Sequence, residues 1–342
     1  MVTPTSIGLM VDEIMKRREL LKSVTAGTFA GAVSLRTATA AATAERSMST
    51  YTYKRVAGCE IKADVYGGGS SDDRKPVVVT IHGGALIAGS RTSIRRALFD
   101  PLIEQGFIIV SIDYRLAPET KLPVIIEDVR DAFAWVRREG PTLFGADPER
   151  IGVHGGSAGG YLTLMSGFCT EPRPLALVAY YGYGDIIGDW YSKPDPHYRK
   201  QPLVSEAAAR AVIEDRAVSE PPQGKNRYDF YLYCRQNGLW PREVTGLDPH
   251  TQAEALKPFC PIQNITPAYP PTLLCHGNKD TDVPYEQSVQ MAGRLAEVGV
   301  PFEFLPLQNG QHGFGGASEQ DLRSAIKRSV DFFSHYVTKV SH

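Results

Sequence analysis

From about Tyr51 onward, short apolar runs rich in β-branched residues recur along the chain, each closed by turn residues and separated by stretches with helical periodicity. Residues 76–81, 107–112, 151–154, 176–181 and 272–275 are apolar at successive positions, as strands covered on both faces are, and they are too short for helices. Residues 51–56 and 60–66 instead alternate polar and apolar positions around an Ala57-Gly58 turn, which predicts a half-exposed antiparallel edge pair. Helical spacing covers residues 125–138, where Asp128 and Asp131 read as exposed positions between apolar ones, and then residues 158–169, 285–297 and 319–337. Residues 301–305 supply a last strand. Strands alternating with helices predict the α/β class, a mostly parallel central sheet with helices on both faces.

The alternation breaks between residues 184 and 261, a stretch rich in Pro, Tyr and charge with helical spacing only around 205–216 and 228–234. Structureless loops of such length are uncommon inside compact domains. The segment therefore predicts a cap inserted over the sheet end where open α/β folds bind ligands. Because the strand–helix rhythm resumes at Pro271, the expected catalytic domain runs from 45 to 342 with the cap inside it. Trp190, Tyr191, Tyr198, Tyr228, Tyr231, Tyr233 and Trp240 lie in this segment. They could line a pocket for a sugar or aryl ester; the simpler reading, preferred here, is that most of them form the cap's own core.

Residues 1–44 follow another logic. Lys16-Arg17-Arg18 precede a weakly apolar stretch of Ala, Gly, Val and Thr, and Ala42-Thr43-Ala44 end it before Glu45. This resembles a twin-arginine export peptide with an A-x-A exit and predicts a periplasmic or secreted protein; the alternative is a disordered tail on a cytoplasmic one. The apolar stretch is too short and interrupted for a stable membrane span.

Composition narrows the classes further. With 37 basic against 38 acidic residues, no strong field favours nucleic acid or an anionic membrane surface. The five cysteines show neither zinc-site nor disulfide-framework spacing, so no metal or cofactor is implied and fewer than two disulfides are expected.

The chemistry is concentrated in two glycine-rich turns. After the strand ending at His154 comes Gly155-Gly156-Ser157-Ala158-Gly159-Gly160, and then a helix. G-x-S-x-G in that context is a nucleophile elbow, whose small flanking residues let a strained serine stand above the sheet at a helix N-terminus. No Lys-Ser/Thr pair follows the glycines, as a phosphate loop would require. The second turn, His82-Gly83-Gly84-Ala85, follows the strand ending at Ile81. Acyl transfer needs N–H donors aimed at a developing oxyanion, and small residues allow the backbone's close approach. Gly83 and Gly84, joined by the N–H of Ala158, are the candidate oxyanion hole. His82 is assigned to holding the loop.

At this point the chain resembles the hormone-sensitive-lipase-like and acetyl-esterase-like (BD-FAE-like) branch of the α/β-hydrolases. The stretches 113–119 (Asp-Tyr-Arg-Leu-Ala-Pro-Glu), 147–151 (Asp-Pro-Glu-Arg-Ile) and His276-Gly277-Asn278-Lys279-Asp280 with Val283-Pro284 add to the elbow and the His-Gly-Gly turn. The resemblance implies an α/β-hydrolase fold with a cap, and it makes the loop around Asp113 and Arg115 structural. Ala85 departs from the third glycine of many relatives. In the chain order of this fold the acid precedes the histidine. The resemblance places the acid at Asp280, with Asp282 as the fallback, and the base at His312, followed by Gly313. Of the other histidines weighed, His250 lies in the cap, and His335 and His342 lie in or past the terminal helix.

The expected function is hydrolysis of a small-molecule carboxylic ester by a Ser157–Asp280–His312 triad through an acyl-enzyme. A peptidase or amidase on the same scaffold is the alternative, and a non-catalytic binding protein with a hydrolase shell is a weaker one.

Overall fold

The computed structural model describes residues 48–70 and 72–338; the expected export peptide lies outside them. An eight-stranded sheet has the order β1-β2-β4-β3-β5-β6-β7-β8. Its strands are β1 (Met48–Val56), β2 (Cys59–Tyr66), β3 (Lys75–Ile81), β4 (Ile108–Ile112), β5 (Ala146–Gly156), β6 (Ala176–Tyr180), β7 (Thr272–Gly277) and β8 (Phe302–Leu307). β2 pairs antiparallel with both β1 and β4, and all pairs from β4 to β8 are parallel. The α/β prediction and the antiparallel edge pair both stand.

Five helices of the sheet scaffold are α1 (Arg96–Glu104), α2 (Leu122–Arg138), α4 (Ala158–Cys169), α10 (Glu286–Val298) and α11 (Glu319–Val337), with the short α3 (Gly140–Phe144) before β5. Strand parity assigns them to faces. Val77, Val79 and Ile81 join one cluster with Ile125, Val129, Leu162, Met165 and Leu295, so α2, α4 and α10 cover that face. Val78 joins the other cluster with Leu98, Phe99, Phe332 and Phe333, so α1 and α11 cover the opposite face. Two covered faces explain why the inner strands carry no polar alternation.

Asp128 corrects one expectation. It is fully buried on α2, because its carboxylate accepts from Arg115 Nε and Nη2 at 2.7 Å each and from Lys54 Nζ at 2.7 Å. A carboxylate at an apolar helix position is tolerated when fully paired, and hydrophobic spacing alone carries no sign of that. Asp131, by contrast, is half exposed and pairs with Lys54.

Between β6 and β7 the chain forms five short helices, α5 (Asp189–Ser192), α6 (Glu206–Arg210), α7 (Tyr228–Asn237), α8 (Trp240–Thr245) and α9 (Ala253–Leu256), plus three single turns. It meets the sheet at the carboxyl ends of the strands: Trp240 Nε1 donates to Ala85 O at 2.9 Å, and Arg227 donates to Ile87 O at 2.5 Å and to Glu119 at 2.6 Å. Tyr191, Tyr198, Tyr231 and Trp240 are buried, Trp190 and Tyr233 are half-buried and Tyr228 is exposed. Trp190, Tyr191 and Trp240 stack at 3.8 and 4.0 Å, which makes this set mainly a core. All five cysteines are buried and unpaired.

Candidate active site

β3 pairs with β4 on one side and β5 on the other, which opens a crevice at the carboxyl ends of β3 and β5, the position where open sheets bind ligands. Ile81 pairs with Gly155 across it, so the turn after β3 and the turn after β5 start side by side. Ser157 occupies the second turn at φ 57°, ψ −125°, a conformation that costs an L-residue about 1–3 kcal/mol. Its N–H donates to Tyr180 O at 2.9 Å, and its carbonyl accepts from Tyr161 N–H at 2.9 Å, which ties the strained residue to β6 and to α4. The two motif glycines are steric necessities. A Cβ on Gly159 would stand 2.0 Å from the carbonyl oxygen of Ile81, and one on Gly155 would stand 2.2 Å from that of Gly159.

His82, buried and stacked on Tyr114 at 4.2 Å, lies 2.7 Å through Nδ1 from the carbonyl oxygen of Gly83. A carbonyl accepts, so Nδ1 carries the proton. Carbonyl and amide N–H point opposite ways across a trans peptide, so this bond turns the N–H of Gly84 away from the imidazole. No turn or loop hydrogen bond among the described residues uses the N–H of Gly83, Gly84 or Ala158. Gly83 lies against the elbow, since a Cβ there would stand 3.2 Å from Ser157 Cβ. Ala85 has φ 56° and Leu86 φ 63°, so both stand in the left-handed region that favours glycine.

His312 lies in a tight turn between β8 and α11, and Gly313 at φ 76° follows it. The turns after β7 and β8 lock together: Lys279 N–H donates to Gly310 O at 2.9 Å, and Asn278 Nδ2 donates to Gln308 Oε1 at 2.7 Å. That lock brings His312 Nδ1 to 2.8 Å from Asp280 Oδ2, while Nε2 faces Ser157 Oγ at 3.1 Å. The fallback carboxylate is also present, on the other nitrogen, with Asp282 Oδ2 3.4 Å from Nε2. Asp280 is thus the partner of Nδ1 and Asp282 is not.

Asp280 is held tightly. Its Oδ1 accepts from the N–H groups of Asp282 and Val283 at 2.8 and 3.0 Å, and His276 Nε2 stands 3.2 Å from Oδ2. His276 Nε2 also faces Val283 O at 3.1 Å; with acceptors on that side it is protonated there, and Nδ1 accepts from Ser288 Oγ–H at 2.7 Å. Burial works against ionised Asp280, yet the bonds from His276 and His312 outweigh it and keep the carboxyl below its ordinary range. Burial likewise disfavours charged His312, but Asp280 and the negative charge of Asp282 hold its pKa above the ordinary 6.5.

The sequence matches the BD-FAE family over residues 63–295. The chain belongs to the BD-FAE family. Esterase LipC of Mycobacterium tuberculosis is 30% identical to this BD-FAE protein over 249 residues, 70% of the chain and 53% of LipC. The non-reducing polyketide synthase ausA of Aspergillus calidoustus is 27% identical over 85% of the chain, which spans only 14% of that synthase. Among solved structures, a protein from Staphylococcus aureus subsp. aureus Mu50 superimposes with a TM-score of 0.68 at 23% identity, over 84% of this chain and 99% of that one. Propionate-bound esterase 2 of Thermogutta terrifontis does so at 0.60 and 20% identity, over 87% and 98%. The fold of this BD-FAE family member is that of the α/β-hydrolases.

Every sequence-predicted site residue therefore meets at one crevice. Two neighbours of the imidazole in this BD-FAE protein escaped sequence reasoning. Tyr181 places its ring 4.8 Å from that of His312, and its hydroxyl accepts from Arg95 Nη2 at 2.6 Å. Arg235 reaches the acid loop from the cap through Asp282. A Tyr after a strand and an Arg within a polar insertion leave no pattern that marks them. Among the described residues no group of three or more His, Cys, Asp or Glu could hold a metal ion.

Proposed function

We propose that this protein is a serine hydrolase that cleaves small-molecule carboxylic esters through an acyl-enzyme. The observation that carries the reading is one imidazole with Nε2 3.1 Å from Ser157 Oγ and Nδ1 2.8 Å from Asp280. His312 removes the hydroxyl proton as Ser157 attacks the ester carbonyl, and Asp280 fixes the tautomer and stabilises the imidazolium. The N–H groups of Gly83, Gly84 and Ala158 take the oxyanion, and His312 passes the proton to the departing alcohol. Water then hydrolyses the acyl-enzyme by the same route. Loss of one oxyanion donor costs about 3 kcal/mol of transition-state stabilisation. The names of LipC and of Thermogutta esterase 2 support the ester assignment, whereas a match to 14% of a polyketide synthase carries nothing of polyketide assembly to this chain.

Parallel assays on a short p-nitrophenyl ester and a peptide anilide test the reading. The ester is turned over and the anilide is not, and Ser157→Ala lowers ester turnover by several orders of magnitude. Undiminished turnover by Ser157→Ala would refute the mechanism, and a preference for the anilide would replace the esterase with an amidase.

We also propose export through residues 16–44. N-terminal sequencing of secreted protein then starts near Glu45, and an intact Met1 or Met15 on a cytosolic protein refutes it.

A further inference from the structure

Two carboxylates flank the imidazole of His312, and only one of them belongs to the triad. Asp282 Oδ2 stands 3.4 Å from Nε2, the nitrogen that faces Ser157 and carries the moving proton in the proposed reaction. Its other oxygen is tied to the cap: Oδ1 accepts from Tyr231 Oη and, at 2.9 Å, from Arg235 Nη1, which also donates to the Asp282 carbonyl at 3.0 Å. Arg235 is 1% exposed, donates through Nη2 to Asp195 at 2.5 Å, and lies 4.7 Å from the ring of Tyr198 and 4.9 Å from that of Tyr191. A guanidinium buried this deeply persists only when paired, so the pairs with Asp282 and Asp195 are retained. The cap therefore fixes Asp282 in place.

We infer that Asp282 is a positioning residue for the reaction: it stabilises the imidazolium of His312 from the Nε2 side and is restrained by Arg235 and Tyr231 of the cap. This rests on the serine-hydrolase reading above. A carboxylate gains little from neutral Nε2 at 3.4 Å and gains a favourable charge interaction with the imidazolium once the proton of Ser157 arrives. The proton goes from Ser157 Oγ to His312 Nε2 and then to the departing alkoxide; Asp282 takes no part in that transfer, its Oδ1 being engaged by Arg235 and Tyr231. The same contact has a cost in free enzyme. At acid pH the protonated imidazole then has a carboxylate on each nitrogen, and Ser157 has no acceptor for its hydroxyl proton. Asp280, Asp282, Ser157 and the ring of Tyr181 face His312; Arg235, Tyr231 and the hydroxyl of Tyr198 face Asp282; His276 backs Asp280.

The pH profile of kcat/KM on a short p-nitrophenyl ester separates this role from a purely structural one. Asp282→Asn moves the acid limb to lower pH, so that one unit below the wild-type midpoint the fraction of plateau activity retained rises about three-fold, while the plateau itself falls several-fold. Tyr231→Phe removes a donor from Oδ1, leaves the carboxylate less compensated, and moves the limb to higher pH. Opposite shifts support the inference. An unmoved limb in Asp282→Asn, or shifts of the same sign in both variants, overturns it; if Asp282→Asn does not fold, an unmoved limb in Tyr231→Phe does so alone. Ser157→Ala assayed alongside keeps the two readings distinct. If it stays active, the hydrolase mechanism falls; if it is inactive and the limbs do not move, only the role of Asp282 falls.

Discussion

The indole N–H of Trp240, in the cap, donates to the backbone carbonyl of Ala85 in the oxyanion loop at 2.9 Å. That bond ties the peptide after a left-handed alanine to the cap. Trp240→Phe keeps the stack on Tyr191 and deletes the donor, which leaves a buried carbonyl unsatisfied at a cost of about 1–3 kcal/mol. The expected result is a fall in kcat of about ten-fold with a smaller change in KM, because a displaced loop weakens a transition-state contact more than ground-state binding. An unchanged kcat would show that the loop keeps its shape without the cap.

Ala85 tests backbone strain in the same loop. At φ 56° an alanine costs roughly 1 kcal/mol relative to glycine, and glycine gives back most of that through the entropy of the unfolded chain. Ala85→Gly therefore leaves the urea midpoint unchanged or raises stability by about 0.5 kcal/mol. A loss above about 1 kcal/mol would mean that the methyl group packs against something the strain argument neglects.

How far could the sequence be read? The inner strands and the two glycine-rich turns were legible because each imposes a local demand, unbroken apolar runs or glycine at close approaches, whereas the closeness of Asp280 and His312 was expected from chain order and the family resemblance. Three things were not. α1 carries Pro101 in its interior, which reads as a helix breaker, although Leu98, Phe99 and Leu102 bury a normal helical face. Asp128 sits at a buried position because of Arg115 and Lys54, partners 13 and 74 residues away. In the cap, α8 begins with Trp240-Pro241 and stops at Gly246, a start and stop that were present but lay in a segment too short for periodicity to show.

The pH dependence of catalysis follows from His312. The base must be neutral, and its pKa lies above the ordinary 6.5, so the imidazolium persists to higher pH than in a free histidine. kcat/KM on an uncharged ester should rise with pH through one ionisation above 6.5, without a second acid limb, since Asp280 is held below the usual carboxylate range. A midpoint below 6 would contradict the pairing of His312 with both carboxylates.

Stability has a different pH dependence. Burial lowers the pKa of His82 to about 4 and of His154 to about 3, so the folded state keeps both neutral where an unfolded chain protonates them. A depressed histidine contributes no penalty above the unfolded value of about 6.5; as pH falls below it the unfolded state takes up protons first and stability drops, down to the folded values. The loss reaches on the order of 3 kcal/mol for His82. Urea unfolding at pH 7 and pH 5 checks this. His154→Gln, whose side chain does not titrate, should show the smaller difference between the two pH values, and an equal difference would contradict the assignment.

The central claim is that His312 activates Ser157 for covalent catalysis, and the most direct test is to map a fluorophosphonate adduct by peptide mass spectrometry in the wild type, His312→Ala and Ser157→Ala. The expected result is one adduct, on Ser157, formed at a rate lowered by at least about a hundred-fold in His312→Ala and absent in Ser157→Ala. Labelling of another residue, or equal rates with and without the imidazole, would contradict it.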